Sequence, residues 1–292
     1  MKTAVEESKK HKYDFEIDIN QKNDARVIAF DFIEPNSKVL DIGSASGQFG
    51  QILKEYKNCT IYGIDYDIES IKIAEEKGVF EKIYQLNLNN FDINQLKEHT
   101  NSFDYIVFGD VLEHILEPEN VLTKFKTLLK SDGKYVISLP NVAHASVKIG
   151  LLLDNFEYEE TGILDKTHIK FFTHKTIPSF LAGSKLEIEK FDYTVMHIKH
   201  HKSVNNLSLL PISVRKNIFN DKYSHILQYI TLCTFSEKLT EELLKLNQIT
   251  INKENMKNTL KWIKKNCMRK YVYLYFLQQI KNFSKKIKYA KN

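Results

Sequence analysis

Val39-Leu40-Asp41-Ile42-Gly43-Ser44-Ala45-Ser46-Gly47-Gln48-Phe49-Gly50 reads as a buried strand that breaks into a glycine turn and re-enters a helix. Glycine lets a backbone turn sharply and lie against a ligand with no Cβ in the way. The start of the following helix presents unpaired N–H groups, which suit an anionic or polar ligand end. On the next strand, Ile61-Tyr62-Gly63-Ile64-Asp65 puts a carboxylate where a ribose would lie. Asp65 follows Gly43 close to the roughly 20-residue spacing of nucleoside-binding α/β domains. The expectation is a nucleoside-containing cofactor.

Outward from this turn, short apolar runs alternate with amphipathic ones. Strands are expected near 37–42, 60–65, 82–87, 103–109 and 134–139, with helices at 47–56, 67–77, 92–99 and 118–129. That alternation predicts a doubly wound, mostly parallel sheet covered by helices on both faces. Two further strands are expected at 186–195 and 225–235, the second as a long edge strand.

Composition sets the frame. With 292 residues, 42% hydrophobic and 27% charged, the chain reads as a soluble globular protein, and only 5 Pro and 10 Gly argue against long disordered linkers. Cys59, Cys233 and Cys267 are too scattered for a disulfide framework or a metal pair, which points to a reducing cytoplasm. The first residues lack the apolar core of a signal peptide, and no apolar run reaches the roughly 18 residues of a membrane span.

The net charge of +5 hides an asymmetry. Residues 261–292 hold ten Lys/Arg and no Asp/Glu, leaving 32 basic against 37 acidic residues before them. We divide the chain into a nucleoside-binding domain at 1–236 and a basic helical extension at 237–292. Met256, Leu260, Ile263, Cys267, Tyr271 and Leu274 recur in steps of three and four, as one helix face does. Packing on the body, contact with an anionic membrane face and contact between copies of the chain are the expectations for 261–292, with nucleic acid the weakest.

The glycine spacing separates the cofactors. The dinucleotide fingerprint is Gly-x-Gly-x-x-Gly; here Gly43, Gly47 and Gly50 are spaced differently, Asp41 precedes them, and no phosphate-binding Gly-Lys-Ser/Thr loop occurs. At this point the sequence resembles the class I S-adenosylmethionine-dependent methyltransferases, whose first motif is an acid followed by Gly-x-Gly-x-Gly. Asp41, Gly43 and Gly47 are kept, and Ala45 stands at the middle glycine. Phe103-Asp104-Tyr105-Ile106-Val107-Phe108-Gly109-Asp110-Val111-Leu112-Glu113-His114 resembles the fourth strand and loop of the UbiG-like subgroup. Leu129-Lys130-Ser131-Asp132-Gly133-Lys134 resembles its turn into the fifth strand. The resemblance covers about 13–235 and implies a seven-stranded Rossmann-like fold. It implies S-adenosylmethionine bound by Asp41, Gly43, Ser44, Ala45, Gly47, Asp65, Tyr66, Asn87 and Asp110, and released as S-adenosylhomocysteine.

Acceptor chemistry is expected at the strand ends. Leu139-Pro140-Asn141-Val142-Ala143-His144 falls there, and the stretch 158–173, with Asp165, Thr167 and His168 beside an aromatic pair, reads as a lid over a polar substrate. Both stretches look like segments of bacterial capsule and O-antigen methyltransferases, which implies O-methylation of a sugar, nucleotide-linked or in a growing glycan. A hydroxyl acceptor is helped by a general base, and His is the usual one. His168 and His144, with Asp165 assisting, are the expected catalytic groups; Asn141, His114 and Thr167 are expected around the substrate. No compact Asp/Glu/His cluster stands out in the sequence, so no metal is expected. The Asn/Asp-Pro-Pro-aromatic signature of amino methylation is absent after the fourth strand. Methylation of a phenol, quinone precursor or phosphorylated metabolite is the alternative in the same fold. A cofactor-binding assembly protein without catalysis is the alternative outside it.

Overall fold

The computed structural model describes residues 16–196, 198 and 207–236. The expected extension 237–292, with its basic run and helical stripe, lies outside them. The element order is α1 (Ala25–Phe32), β1 (Lys38–Ile42), α2 (Gln48–Lys57), β2 (Thr60–Asp65), α3 (Ile68–Glu76), β3 (Lys82–Gln85), β4 (Phe103–Gly109), α4 (Pro118–Phe125), β5 (Leu129–Pro140), α5 (Ala145–Leu152), α6 (Ile177–Gly183), β6 (Leu186–Val195), α7 (Ile212–Asn220) and β7 (Ile226–Phe235). The strands form one sheet in the order β3-β2-β1-β4-β5-β7-β6.

β1 pairs in parallel with β2 and β4, and β4 with β5. β7 alone runs antiparallel, between β5 and β6. The chain therefore winds from β1 outward to β3, then returns to β4 on the other side of β1. In open α/β sheets the crevice at such a switch point is where ligands bind. Successive residues of β1 serve opposite faces: Val39 packs with Ile61, Tyr105 and Val107, while Leu40 packs with Phe103, Ile106 and Phe108. Burial on both faces is the reason these strands read as continuous apolar runs.

Helix boundaries follow local chemistry. Asp24 and Asp67 cap α1 and α3 by accepting from Arg26 N and Ser70 N, and Pro118 begins α4. Asp67 thus takes the capping role, leaving Asp65 for the crevice.

Three expectations change. The stretch 226–235 is not an edge: it is covered on both sides, and β6 forms the edge. The stretch 93–99 is a 3-10 helix. β5 begins at Leu129, opposite Phe103, rather than at Lys134, with a register shift in between. Helices α1, α5, α6 and α7 were outside the sequence reading; α5, for example, is apolar around much of its surface and lacks a clear helical stripe.

Candidate functional site

The glycine turn is closed by its own backbone. Gly43 N and Ser44 N both donate to Ile64 O, at 2.8 and 3.1 Å, and Gly47 N donates to Ser44 O at 2.9 Å. Gly43 has φ +71°, and a Cβ there would sit 2.6 Å from Val111 Cγ2. That close approach brings the start of the β4 loop directly against the turn. Gly47, at φ +86°, sits where a Cβ would lie 2.7 Å from the Phe80 ring. Phe80 wedges the start of α2 against β2, a part its sequence position did not reveal.

Two carboxylates line the turn. Asp65 accepts from Ala45 N through Oδ2 at 2.8 Å and from Asp67 N through Oδ1 at 2.9 Å. Each oxygen keeps a second lone pair for a ligand hydroxyl. Asp41 is buried, and its Oδ2 has no hydrogen-bond partner among the described residues; Ser44 Oγ is likewise buried and unpartnered. Burial, and then the charge of Asp65, push the Asp41 carboxyl up to about 8. Orphaned buried polar atoms around a glycine turn are a poor fit to a purely structural role. They do fit a ligand that brings donors and positive charge.

The rim of the crevice is built from loops. Tyr66 is exposed beside Asp65. Asn87 is exposed, and its Oδ1 accepts from Asn89 N. Asn89, overlooked in the sequence, accepts from Leu116 N at 2.8 Å and donates to His114 O at 3.4 Å, tying the β3 and β4 loops together.

At the end of β4, Asp110 adopts φ +55°, a left-handed conformation uncommon outside glycine. Its backbone N donates to Ser138 Oγ at 2.9 Å, its Oδ1 accepts from that hydroxyl at 2.7 Å, and its Oδ2 accepts from Gln228 Nε2 at 2.6 Å. The residue is open to solvent, yet protein surrounds its carboxyl closely enough to raise its pKa; both hold for a group on the floor of a cleft.

Beyond it, two loops distant in sequence interlock. Ile169 N and Lys170 N both donate to Glu113 O. His114 Nδ1 lies 3.2 Å from Thr167 O and 3.0 Å from Thr167 Oγ1, and Thr167 Oγ1 donates to Asp165 Oδ1 at 2.7 Å. A carbonyl can only accept, so His114 carries its proton on Nδ1 and offers Nε2 as a lone pair. Burial lowers the pKa of His114 and keeps its ring neutral. His168 is buried, with Nδ1 3.0 Å from Ile163 O and Nε2 3.9 Å from Glu113 Oε1. The two imidazoles meet edge to face at 4.7 Å. Glu113 is fully buried with both carboxyl oxygens unpartnered, and burial raises its pKa well above the carboxylate range.

One ligand atom from each of Glu113, His114 and His168 falls within 4.8 Å of the others, a spacing compatible with one divalent cation. A compact Glu/His group therefore exists where the sequence led us to expect none. It was invisible there because His168 is brought in from another loop.

Asn141 and His144 are placed differently. Both are fully buried. Asn141 Nδ2 donates to Tyr223 O and Ile226 O, and its Oδ1 accepts from Ala143 N. His144 caps α5: Nδ1 accepts from Ser146 N, and Nε2 lies 2.7 Å from Met196 O. With both ring nitrogens engaged and no surface exposed, His144 does not present a base to a substrate. The structure brings Asp110, His114, Asp165, Thr167 and His168 together, while Asn141 and His144 are buried in hydrogen bonds to backbone carbonyls.

A doubly wound sheet with one antiparallel strand beside its edge, a glycine turn after β1 and an acid ending β2 defines a Rossmann-like methyltransferase fold. The chain belongs to the family described as "Methyltransferase domain", which it matches over residues 17–190. That family and fold imply S-adenosylmethionine as the cofactor. Over 108 residues the chain is 32% identical to the "Ubiquinone biosynthesis O-methyltransferase" of Actinobacillus pleuropneumoniae, covering 36% of this chain and 46% of the relative. It is 26% identical over 158 residues to the mitochondrial protein of that name from Bos taurus, covering 52% and 42%. The chain thus spans less than half the length of these curated relatives. The fold is shared with an S-adenosylmethionine dependent methyltransferase from Mesorhizobium loti, at a TM-score of 0.50, 14% identity, and coverage of 74% of this chain and 99% of that one.

Proposed function

We propose that this protein transfers a methyl group from S-adenosylmethionine to a hydroxyl oxygen of a small acceptor, with His114 as the general base. The observation that carries this reading is the neutral His114 ring. Its Nδ1 is anchored on Thr167, its Nε2 is available, and its loop packs through Val111 against the glycine turn. The bound cofactor supplies an activated methyl on a positive sulfur, so the protein mainly has to align donor and acceptor.

The chain's own groups divide that work. Asp41, Asp65 and the turn hold the donor, with Tyr66 and Asn87 at its rim. His114 Nε2 takes the hydroxyl proton as the oxygen–methyl bond forms. Thr167 and Asp165 position the ring, the base-and-orienter arrangement that recurs in enzyme sites. His168, tucked behind His114, supports the wall. The base role thereby moves from His168 to its more accessible neighbour.

The acceptor we favour from the sequence pattern is a sugar hydroxyl of a nucleotide-linked or polymer-linked envelope glycan of capsule or O-antigen type. A phenol or quinone precursor is the second reading, favoured by the likeness to ubiquinone biosynthesis O-methyltransferases. The run 261–292 would hold the protein at an anionic membrane face; co-sedimentation with anionic liposomes, with and without these residues, tests that.

Purified protein is mixed with S-adenosylmethionine and, in turn, sugar nucleotides and hydroxylated phenols, and products are read by mass. A methyl on a sugar supports the first acceptor and a methyl on a phenol the second. No calorimetric binding of S-adenosylmethionine would end both.

A further inference from the structure

Four acids, Asp41, Asp65, Asp110 and Glu113, gather between the glycine turn and the β4 loop. Among the described residues, Asp41, Asp65, Asp110 and Glu113 make no ion pair with Lys or Arg. Asp41 Oδ2 and both Glu113 oxygens are also buried without hydrogen bonds. Of the two histidines nearest Asp110, His114 is held neutral by burial. Burial holds Asp41 and Glu113 towards their protonated forms; a carboxylate kept ionised in such a cleft attracts a positive ligand.

Asp110 is the acid in this group that is most deliberately held. Its left-handed backbone is a strain of the kind that collects at functional sites. Ser138 on β5 and Gln228 on β7 each donate to a different carboxyl oxygen. The sheet makes this possible: Ser138 pairs with Gly109 and Gln228 with Pro140, so three neighbouring strands converge on one side chain. Both donors favour the ionised form, opposing the burial that raises the pKa.

We infer that Asp110, aimed by Ser138 and Gln228 as positioning residues, is the counter-charge for the sulfonium, making the crevice prefer the donor over its spent product. The inference rests on the methyl-donor reading above. S-Adenosylmethionine carries a net positive charge, whereas S-adenosylhomocysteine has a neutral thioether. A carboxylate facing the sulfur therefore tells them apart without touching the nucleoside. The same preference would speed product release, because the attraction disappears once the methyl has left.

The test is calorimetric binding of each ligand separately to the full chain, with thermal denaturation as a control for folding. Asp110→Asn removes the charge while its amide can still pair with Ser138 and, once the Gln228 amide turns over, with Gln228. We expect Asp110→Asn to weaken S-adenosylmethionine by about tenfold and to leave S-adenosylhomocysteine within about twofold. Gln228→Ala is the milder variant and should shift the pair in the same direction by a few-fold. Equal weakening of both ligands, or no weakening of S-adenosylmethionine, overturns the inference. Wild-type protein that binds neither ligand overturns the methyl-donor reading together with it.

Discussion

Asp65 Oδ2 accepts a hydrogen bond from Ala45 N at 2.8 Å, closing the turn after β1 onto the end of β2. The contact holds Ala45 at φ +44°, in the left-handed region. This is the position where the family motif carries glycine, and the reason lies in the backbone. A left-handed L-residue costs roughly 1–2 kcal/mol. Gly in place of Ala gives back about 0.4–1 kcal/mol through the unfolded chain. Ala45→Gly should therefore stabilise the protein by about 0.5–1 kcal/mol. Thermal denaturation should show a small rise in Tm; a fall would mean that the Ala45 methyl packs usefully.

Asp41 gives a pH signature. Its carboxyl sits near 8 in the folded protein, against an ordinary value of 3.8. Below the ordinary value both folded and unfolded chains hold the proton. Between the two values only the folded chain does, so this residue's contribution to stability falls as pH rises through that window. Above the folded value the loss is complete. Asp41→Asn should remove this component, with its largest stabilising effect at alkaline pH. Urea midpoints of wild type and variant at pH 5 and pH 8 check it. A variant gain that is the same at both values would show that Asp41 is not protonated in the fold.

His114 and Thr167 form the pair on which the proposed chemistry turns. Loss of a general base typically costs 10²–10⁴-fold in rate. His114→Ala should lower kcat by about that factor and leave S-adenosylmethionine affinity near wild type. Because burial lowers its pKa from 6.5, the acid limb of the rate profile should lie below that pH, with activity rising as the ring loses its proton. The limb should vanish in His114→Ala. Thr167→Val should reduce kcat roughly tenfold with little change in donor binding. Wild-type kcat in His114→Ala would move the base elsewhere.

His144 should behave in the opposite way. Removing its cap on α5 and its bond to Met196 O should cost about 1–3 kcal/mol of stability. The turnover of the molecules that remain folded should be unchanged. A His144→Ala variant with wild-type Tm but lost activity would restore it as a catalytic candidate.

Much of the domain was legible because it is written in local patterns. β1, β2 and β4 are apolar runs bounded by turn residues, and their ends could be read within a residue or so. Asp41, Gly43, Gly47 and Asp65 are close in sequence, so spacing alone grouped them. The second half was harder to read. Ile226–Phe235 looks the same on paper as an edge or as an inner strand, because only its neighbours distinguish the two. His144, at a strand end, and His168, in the polar stretch 158–173, both read as candidate bases. The fold engages both ring nitrogens of one and seats the other behind His114.

The sequence by itself determined the parallel sheet, the glycine turn and the acids beside it, because hydrophobic period and glycine placement act over a few residues. Only the tertiary structure decided which side chains face one another across the crevice. Asp110 meets Gln228 across 118 positions of chain, and His114 meets Thr167 across 53. Such pairs are set by strand order and loop docking, which depend on the packing of the whole sheet rather than on any local pattern.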